Sequence, residues 1–231
     1  DAGDLDGDGD DELVAVFGDG TLKQYTYNQT NTSFDLGASI TIMSNGTPMQ
    51  ALLGSVAVGK FWGSGNDTVV VADSMDGHVT IWNLTQGSWL QGNPGSSFDC
   101  IKSSLTHADW NGDGLLDLIG GTDTGICTAT FNGTGWSIQE TNGTQLNNFI
   151  VGDWNNNGSV DVLQPLQGTP DGNDSTFTGH VEVRQFGPNG SVASSYLNLQ
   201  PHTAPSDMEM ADMDGDGVME HIFVAGESSV G

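Results

Sequence analysis

Positive charge is nearly absent from this sequence: four Lys and Arg residues stand against 30 Asp and Glu among 231, a formal net charge of −26. Nucleic acid is not expected as a partner, because clustered Lys and Arg hold a phosphate backbone and no such cluster occurs. An anionic membrane surface is disfavoured on the same ground. Long apolar runs are missing too, none nearing the roughly 18 residues of a membrane span, so direct membrane insertion is not expected. No segment keeps a 3.6-residue apolar period, which predicts that helices are nearly absent. Also lacking are G-x-S-x-G, H-E-x-x-H and any glycine-rich phosphate loop, and with them common signatures of hydrolase, metalloprotease and nucleotide chemistry.

What is present argues for a folded, extracellular chain. Hydrophobic residues at 35%, with six Trp and nine Phe, are too many for a disordered acidic tail. The carboxylates must then be balanced by bound metal, solvent salt or a basic partner. Two cysteines, Cys100 and Cys127, are either two buried thiols or one bridge. Ten N-x-S/T sequons occur, at Asn28, Asn31, Asn45, Asn66, Asn83, Asn132, Asn142, Asn157, Asn173 and Asn189. They read as surface loops of a secreted or cell-surface glycoprotein, or as the by-product of a composition rich in Asn, Thr and Gly. The chain starts at Asp1 without Met or a signal-like segment, as a mature form, a processed fragment or a resolved part would.

Self-similarity is more informative than any single residue. The stretch DLDGDGDDE at 4–12 recurs as DWNGDGLLD at 109–117, DWNNNGSVD at 153–161 and DMDGDGVME at 212–220, with a degenerate copy, KFWGSGNDT, at 60–68. The intervals of 56, 49, 44 and 59 residues suit a unit of four short strands. A small or β-prone run leads into the later copies, as at 52–59, 147–152 and 207–211. An apolar strand follows each copy, then a Gly-marked turn and an alternating strand such as HVTIWNL at 78–84. There Val79 and Ile81 share one face while Trp82 and Leu84 share the other, as a strand stacked between two sheets requires. The second residue of each copy, Leu5, Phe61, Trp110, Trp154 and Met213, is read as an inward wedge between sheets.

In the intact copies oxygen-bearing side chains occupy loop positions 1, 3, 5 and 9, and Gly at position 6 permits a sharp turn. Site 1 offers Asp4, Asp6, Asp8 and Glu12; site 2 Asp109, Asn111, Asp113 and Asp117. Site 3 offers Asp153, Asn155, Asn157 and Asp161; site 4 Asp212, Asp214, Asp216 and Glu220. The position-7 carbonyls of Asp10, Leu115, Ser159 and Val218 complete the sets. Five protein groups plus water match the six to eight oxygens of Ca²⁺ better than octahedral Mg²⁺, and zinc would call for His or Cys. About four Ca²⁺ are expected, raising the formal charge from −26 to −18. Site 3, with two carboxylates and two amides, should be weakest. Copy two, with no carboxylate at a ligand position, should bind none, its Lys60 ammonium standing in as counter-charge.

These loops and the strands after them resemble the FG-GAP or VCBS repeats of integrin alpha-subunit heads and many secreted proteins. The resemblance covers nearly all of residues 1–231 and implies an all-β fold: a β-propeller of four-stranded antiparallel blades with calcium loops on one side of the disc. About four and a half to five repeats are counted, forming one propeller domain or a segment of one. The strand leading into Asp4 is expected to be missing, and the missing blade to come from further sequence or from neighbouring copies.

The resemblance implies a calcium-stabilised adhesion or structural module of a cell-surface or filamentous assembly, its partner a protein, a glycan or further copies of itself. A carbohydrate-binding, lectin-like propeller is the alternative, and a propeller-type hydrolase or lyase a weaker one. No catalytic residue is nominated. His78 and His180 are positional echoes at the start of the third strand, and His107 is a strand-end packing residue. Three long insertions, at 27–35, 86–99 and 164–179, carry Trp89, Phe98 and Phe177, each either a contact aromatic or a packed loop residue. Extracellular oxidation favours a Cys100–Cys127 bridge.

Overall fold

The computed structural model describes residues 1–44, 46–49, 56–61, 65–73, 76–92, 98–132, 135–142, 149–167, 178–186, 192–201, 203–211 and 221–228. Among these there is no helix, and hence none long and apolar enough to cross a membrane. The chain forms two compact units, Asp1–Asn147 and Asn148–Gly231.

The first unit holds three antiparallel sheets. Sheet one runs β1 (Ala2–Gly3), β2 (Glu12–Val16), β3 (Thr21–Asn28) and β4 (Ser33–Thr41) in spatial order. A small hairpin of β5 (Met43–Ser44) and β6 (Thr47–Pro48) follows. Sheet two contains β7 (Val56–Gly59), β8 (Thr68–Ala72), β9 (His78–Thr85) and β10 (Ser88–Gln91), with β11 (Phe98–Asp99) also on β9. Sheet three is β12 (Leu105–Ala108), β13 (Asp117–Gly121), β14 (Gly125–Phe131) and β15 (Trp136–Asn142). In the second unit, β16 (Ile150–Gly152), β17 (Asp161–Gln167), β18 (Thr178–Phe186) and β19 (Val192–Pro201) form a fourth sheet. There β20 (Thr203–Ala211) pairs with β21 (His221–Ser228).

Two expectations are corrected. The strand leading into Asp4 is present as β1, which pairs Gly3 with Glu12. The stretches 27–35 and 86–99 are not simple loop insertions: the first is mostly the β3–β4 hairpin around a four-residue turn, the second contains β10 and β11. Short strands bounded by Gly, such as Ser88–Gln91, are hard to tell from turns because four residues hold barely two alternations.

The sheets of the first unit stack through apolar faces. Val14 and Leu22 of sheet one meet Val69, Val71, Trp82 and Leu84 of sheet two, with Leu5 inserted among them. The opposite face of sheet two, carrying Val70, Val79 and Ile81, meets Leu118, Cys127 and Ala129 of sheet three around Phe61. The split of β9 into two apolar faces and the wedge role of Leu5 and Phe61 are therefore seen directly. Trp110 and Trp154 are half-buried, Trp154 against Leu163, Val181, Val183, Met208 and Met210 in the second unit. Met213 lies outside the described residues. Cys100 and Cys127 are joined by a disulfide with Cα atoms 6.1 Å apart, tying the end of β11 to β14.

Candidate metal centre

The copies at 4–12, 60–68, 109–117 and 153–161 fall at the same topological corner, between the first and second strands of a sheet. In four sheets the register agrees: Gly3 pairs Glu12, Gly59 pairs Thr68, Ala108 pairs Asp117 and Gly152 pairs Asp161. Loop position 9 thus opens the second strand each time. At β20–β21 the pairing moves by one, Ala211 to His221, and residues 212–220 of site 4 lie outside the described residues.

The loops bend because Gly at position 6 adopts a left-handed backbone. Gly9, Gly65, Gly114 and Gly158 have φ of 94°, 117°, 85° and 81°. A Cβ would meet no atom within 4 Å at any of them, so glycine is required there for its backbone angle and not for space. In copy two Gly65 has the same left-handed backbone although no carboxylate stands at a ligand position.

Within each loop the side-chain oxygens turn inward onto backbone amides. The position-1 carboxylates accept from Gly7 N at 2.7 Å, Gly112 N at 2.8 Å and Gly158 N at 2.7 Å. At position 5, Asp8, Asp113 and Asn157 accept from the amides of Asp10, Leu115 and Ser159 at 2.8–2.9 Å. At position 3, Asp6 and Asn111 accept from Asp8 N at 3.2 Å and Asp113 N at 2.9 Å. In site 1 one carboxylate oxygen each of Asp4, Asp6 and Asp8 lies within 4.8 Å of the others, a spacing that could hold a metal ion.

Position 9 is the least ordinary feature. Glu12, Asp117 and Asp161 are at most 1% exposed, and so is Thr68 in the degenerate copy. One oxygen of each acid reaches the loop: Glu12 Oε2 accepts from Leu5 N at 3.0 Å, and Asp117 Oδ2 from Trp110 N at 3.1 Å and Asn111 N at 3.3 Å. Asp161 Oδ2 accepts from Asn155 Nδ2 at 3.3 Å. The second oxygen, Oδ1 of Asp117 and of Asp161, is buried without a hydrogen-bond partner. Burial pushes Asp117 up to about 6, against the lowering by the Asn111 amide and with the help of the Asp113 charge. The Phe131 amide adds a smaller lowering without making a hydrogen bond of normal geometry to Oδ1. Burial likewise raises Glu12 and Asp161, whose neighbouring aspartates add to the shift. A buried carboxylate with a bare oxygen costs free energy unless a cation or proton meets it. The donors are all hard oxygens, so these residues fit Ca²⁺ and not a thiolate- or imidazole-seeking metal.

The three loops of the first unit are joined in series. Asn66 Nδ2 donates to Leu5 O at 3.0 Å, Asp67 N to Asp4 O at 2.9 Å, Asp4 N to Asp67 Oδ2 at 3.1 Å, and Leu116 N to Lys60 O at 3.2 Å. Copy two is therefore a bridge between sites 1 and 2. Its contacts to site 1 come from Asn66 and Asp67 and its contact to site 2 from the Lys60 carbonyl, while the Lys60 ammonium makes no ion pair among the described residues. Sequence reasoning missed Asn66 and Asp67 because their partners lie 60 residues away.

Elsewhere, Trp89 and Phe98 are buried in the sheet interfaces, which settles them as packing residues, and Phe177 lies outside the described residues. His107 packs edge-on against Phe61 with centroids 5.9 Å apart, and His78 Nδ1 lies 2.6 Å from Asp99. His180 is the third residue of β18.

No protein-family model and no curated protein matches the chain. Among solved structures, a crystal structure of a protein from Lactobacillus plantarum, a structural-genomics target, aligns over 99% of this chain at 13% identity with a TM-score of 0.46. The chain spans 59% of that protein's length.

Proposed function

We propose that this chain is a calcium-stabilised adhesion or structural module of an extracellular or cell-surface assembly, built from FG-GAP/VCBS-like repeats as a β-propeller or part of one. The observations that carry the calcium reading are the buried position-9 carboxylate, which in Asp117 and Asp161 keeps one oxygen without a partner, and the three converging carboxylates of Asp4, Asp6 and Asp8 in site 1. Ca²⁺ would be held by Asp4, Asp6, Asp8 and Glu12, by Asp109, Asn111, Asp113 and Asp117, and by Asp153, Asn155, Asn157 and Asp161. Asp212, Asp214, Asp216 and Glu220 would provide the fourth set. The carbonyls of Asp10, Leu115, Ser159 and Val218 would add a ligand each. The ion supplies positive charge where like charges converge, so its role is to stiffen the corner between two strands.

Face-to-face stacking of three sheets through one repeated register supports a propeller, because blades stack in this manner. The Cys100–Cys127 bridge and the sequon density support an oxidising, extracellular setting. A rigid stack with acidic corners and no nominated catalytic set supports a module that binds or assembles. The reading is tested by thermal melting with excess Ca²⁺ and with chelator. A Ca²⁺-reversible fall in Tm on chelation is expected. An unchanged Tm would reduce the loops to solvated acidic turns.

A further inference from the structure

We infer that Asn31 is an N-glycosylation site whose first sugar rests on the Tyr27–Phe34 aromatic pair. Ten sequons are too many to be equivalent, and the fold separates them. Asn28 and Asn66 commit their Nδ2 groups, to Asp35 Oδ2 at 2.7 Å and to Leu5 O at 3.0 Å. Asn83 is half-buried within β9 and faces Thr68 Oγ1 at 3.4 Å. Asn157 belongs to a candidate metal loop. Asn45, Asn173 and Asn189 lie outside the described residues, and Asn132 and Asn142 are exposed on sheet three.

Asn31 sits at the tip of the β3–β4 hairpin, exposed, where Thr32 takes a left-handed φ of 54°. The hydroxyl of Ser33, the third sequon residue, donates to Asn31 Oδ1 at 2.7 Å, and Nδ2 makes no hydrogen bond among the described residues. The nucleophilic nitrogen is thus free while the sequon hydroxyl already engages the amide.

Immediately below the tip, Asn28 pairs Ser33 and Tyr27 pairs Phe34 on the outer face of sheet one. The two rings meet edge to face at 5.4 Å, yet Tyr27 and Phe34 are 48% and 54% exposed. An aromatic ledge open to solvent three residues along the chain from the modified residue, or roughly 10 Å at the rise of a strand, is within reach of the Asn side chain and a first sugar together. Aromatic faces take the apolar side of a pyranose ring, which would cover surface that is otherwise costly to leave wet.

The reaction joins Asn31 Nδ2 to C1 of a lipid-linked oligosaccharide, brought by a membrane oligosaccharyltransferase. The C1–O bond to the lipid phosphate breaks, the phosphate leaves with the electron pair, and the amide proton goes to the transferase base. This inference rests on the extracellular part of the reading above but not on calcium.

The test is secretion of the chain from a glycosylating host behind an added secretion signal, followed by intact-mass and peptide mass spectrometry. Glycan on the peptide containing Asn31, and loss of one glycan mass in Asn31→Gln, is expected. An unmodified Asn31, in a chain with or without glycans elsewhere, overturns the site. Enzymatic deglycosylation should lower Tm in a variant glycosylated at Asn31 alone (any other sequon found modified changed Asn→Gln, with Asn66 and Asn157 kept) and leave it unchanged once Tyr27→Ser and Phe34→Ser are added. Equal shifts in both would overturn the aromatic seat. Calcium titration of the same secreted protein reads the proposed function separately.

Discussion

At the scale of single residues, Asp117 couples the fold to pH. In the metal-free fold burial holds its proton up to about pH 6, whereas an ordinary aspartate releases it near 3.8. Between those values the folded state binds more protons than the unfolded one, so stability from this group falls as pH rises through the interval. Glu12 and Asp161 are raised by the same cause and act in the same sense. With chelator present, Tm should therefore fall between pH 4.5 and 7, and Asp117→Asn should flatten that slope. With saturating Ca²⁺, wild type should lose the slope, because the ion displaces the proton. Position 6 separates turn from metal. Gly114→Ala, at φ 85°, should cost about 1–2 kcal/mol and weaken calcium binding. Gly65→Ala, at φ 117° in the copy without a carboxylate at a ligand position, should cost a similar amount while leaving calcium stoichiometry unchanged in titration.

Secondary-structure elements show where sequence reasoning succeeds and where it stops. The two-faced pattern of β9 was legible, since side-chain alternation is set by the strand itself, and Val79 and Ile81 do face sheet three while Trp82 and Leu84 face sheet one. The acidic corners were legible because the motif repeats in phase. The two-residue β1 was not, being too short to carry a period, nor was the role of Asn66 and Asp67, which depends on a contact between distant loops. Leu13 makes the register argument quantitative. It occupies the position that in sheets two and three is filled by the buried Val69 and Leu118, yet it is 38% exposed on the outer face of sheet one. Denaturant titration should find Leu13→Ala within about 1 kcal/mol of wild type and Ile81→Ala destabilised by about 2–5 kcal/mol.

For the whole molecule, the acidic corners and the disulfide are independent supports. The bridge between Cys100 and Cys127 spans 27 residues and links β11 of one sheet to β14 of the next. In the chain-entropy view it contributes about 3–4 kcal/mol, so reductant should lower the denaturation midpoint with Ca²⁺ present as well as without. A net charge of −26 with four basic residues leaves little internal compensation, which is why bound cations should dominate the salt response of this fold. The division into two units was not legible, because the repeat runs through the boundary near residue 147 without a change in composition. The most direct measurement is the number of calcium ions held per chain, read by isothermal titration after exhaustive chelation. Four ions are predicted, with the site of Asp153 and Asp161 the weakest. Fewer than three tightly held ions would contradict the account.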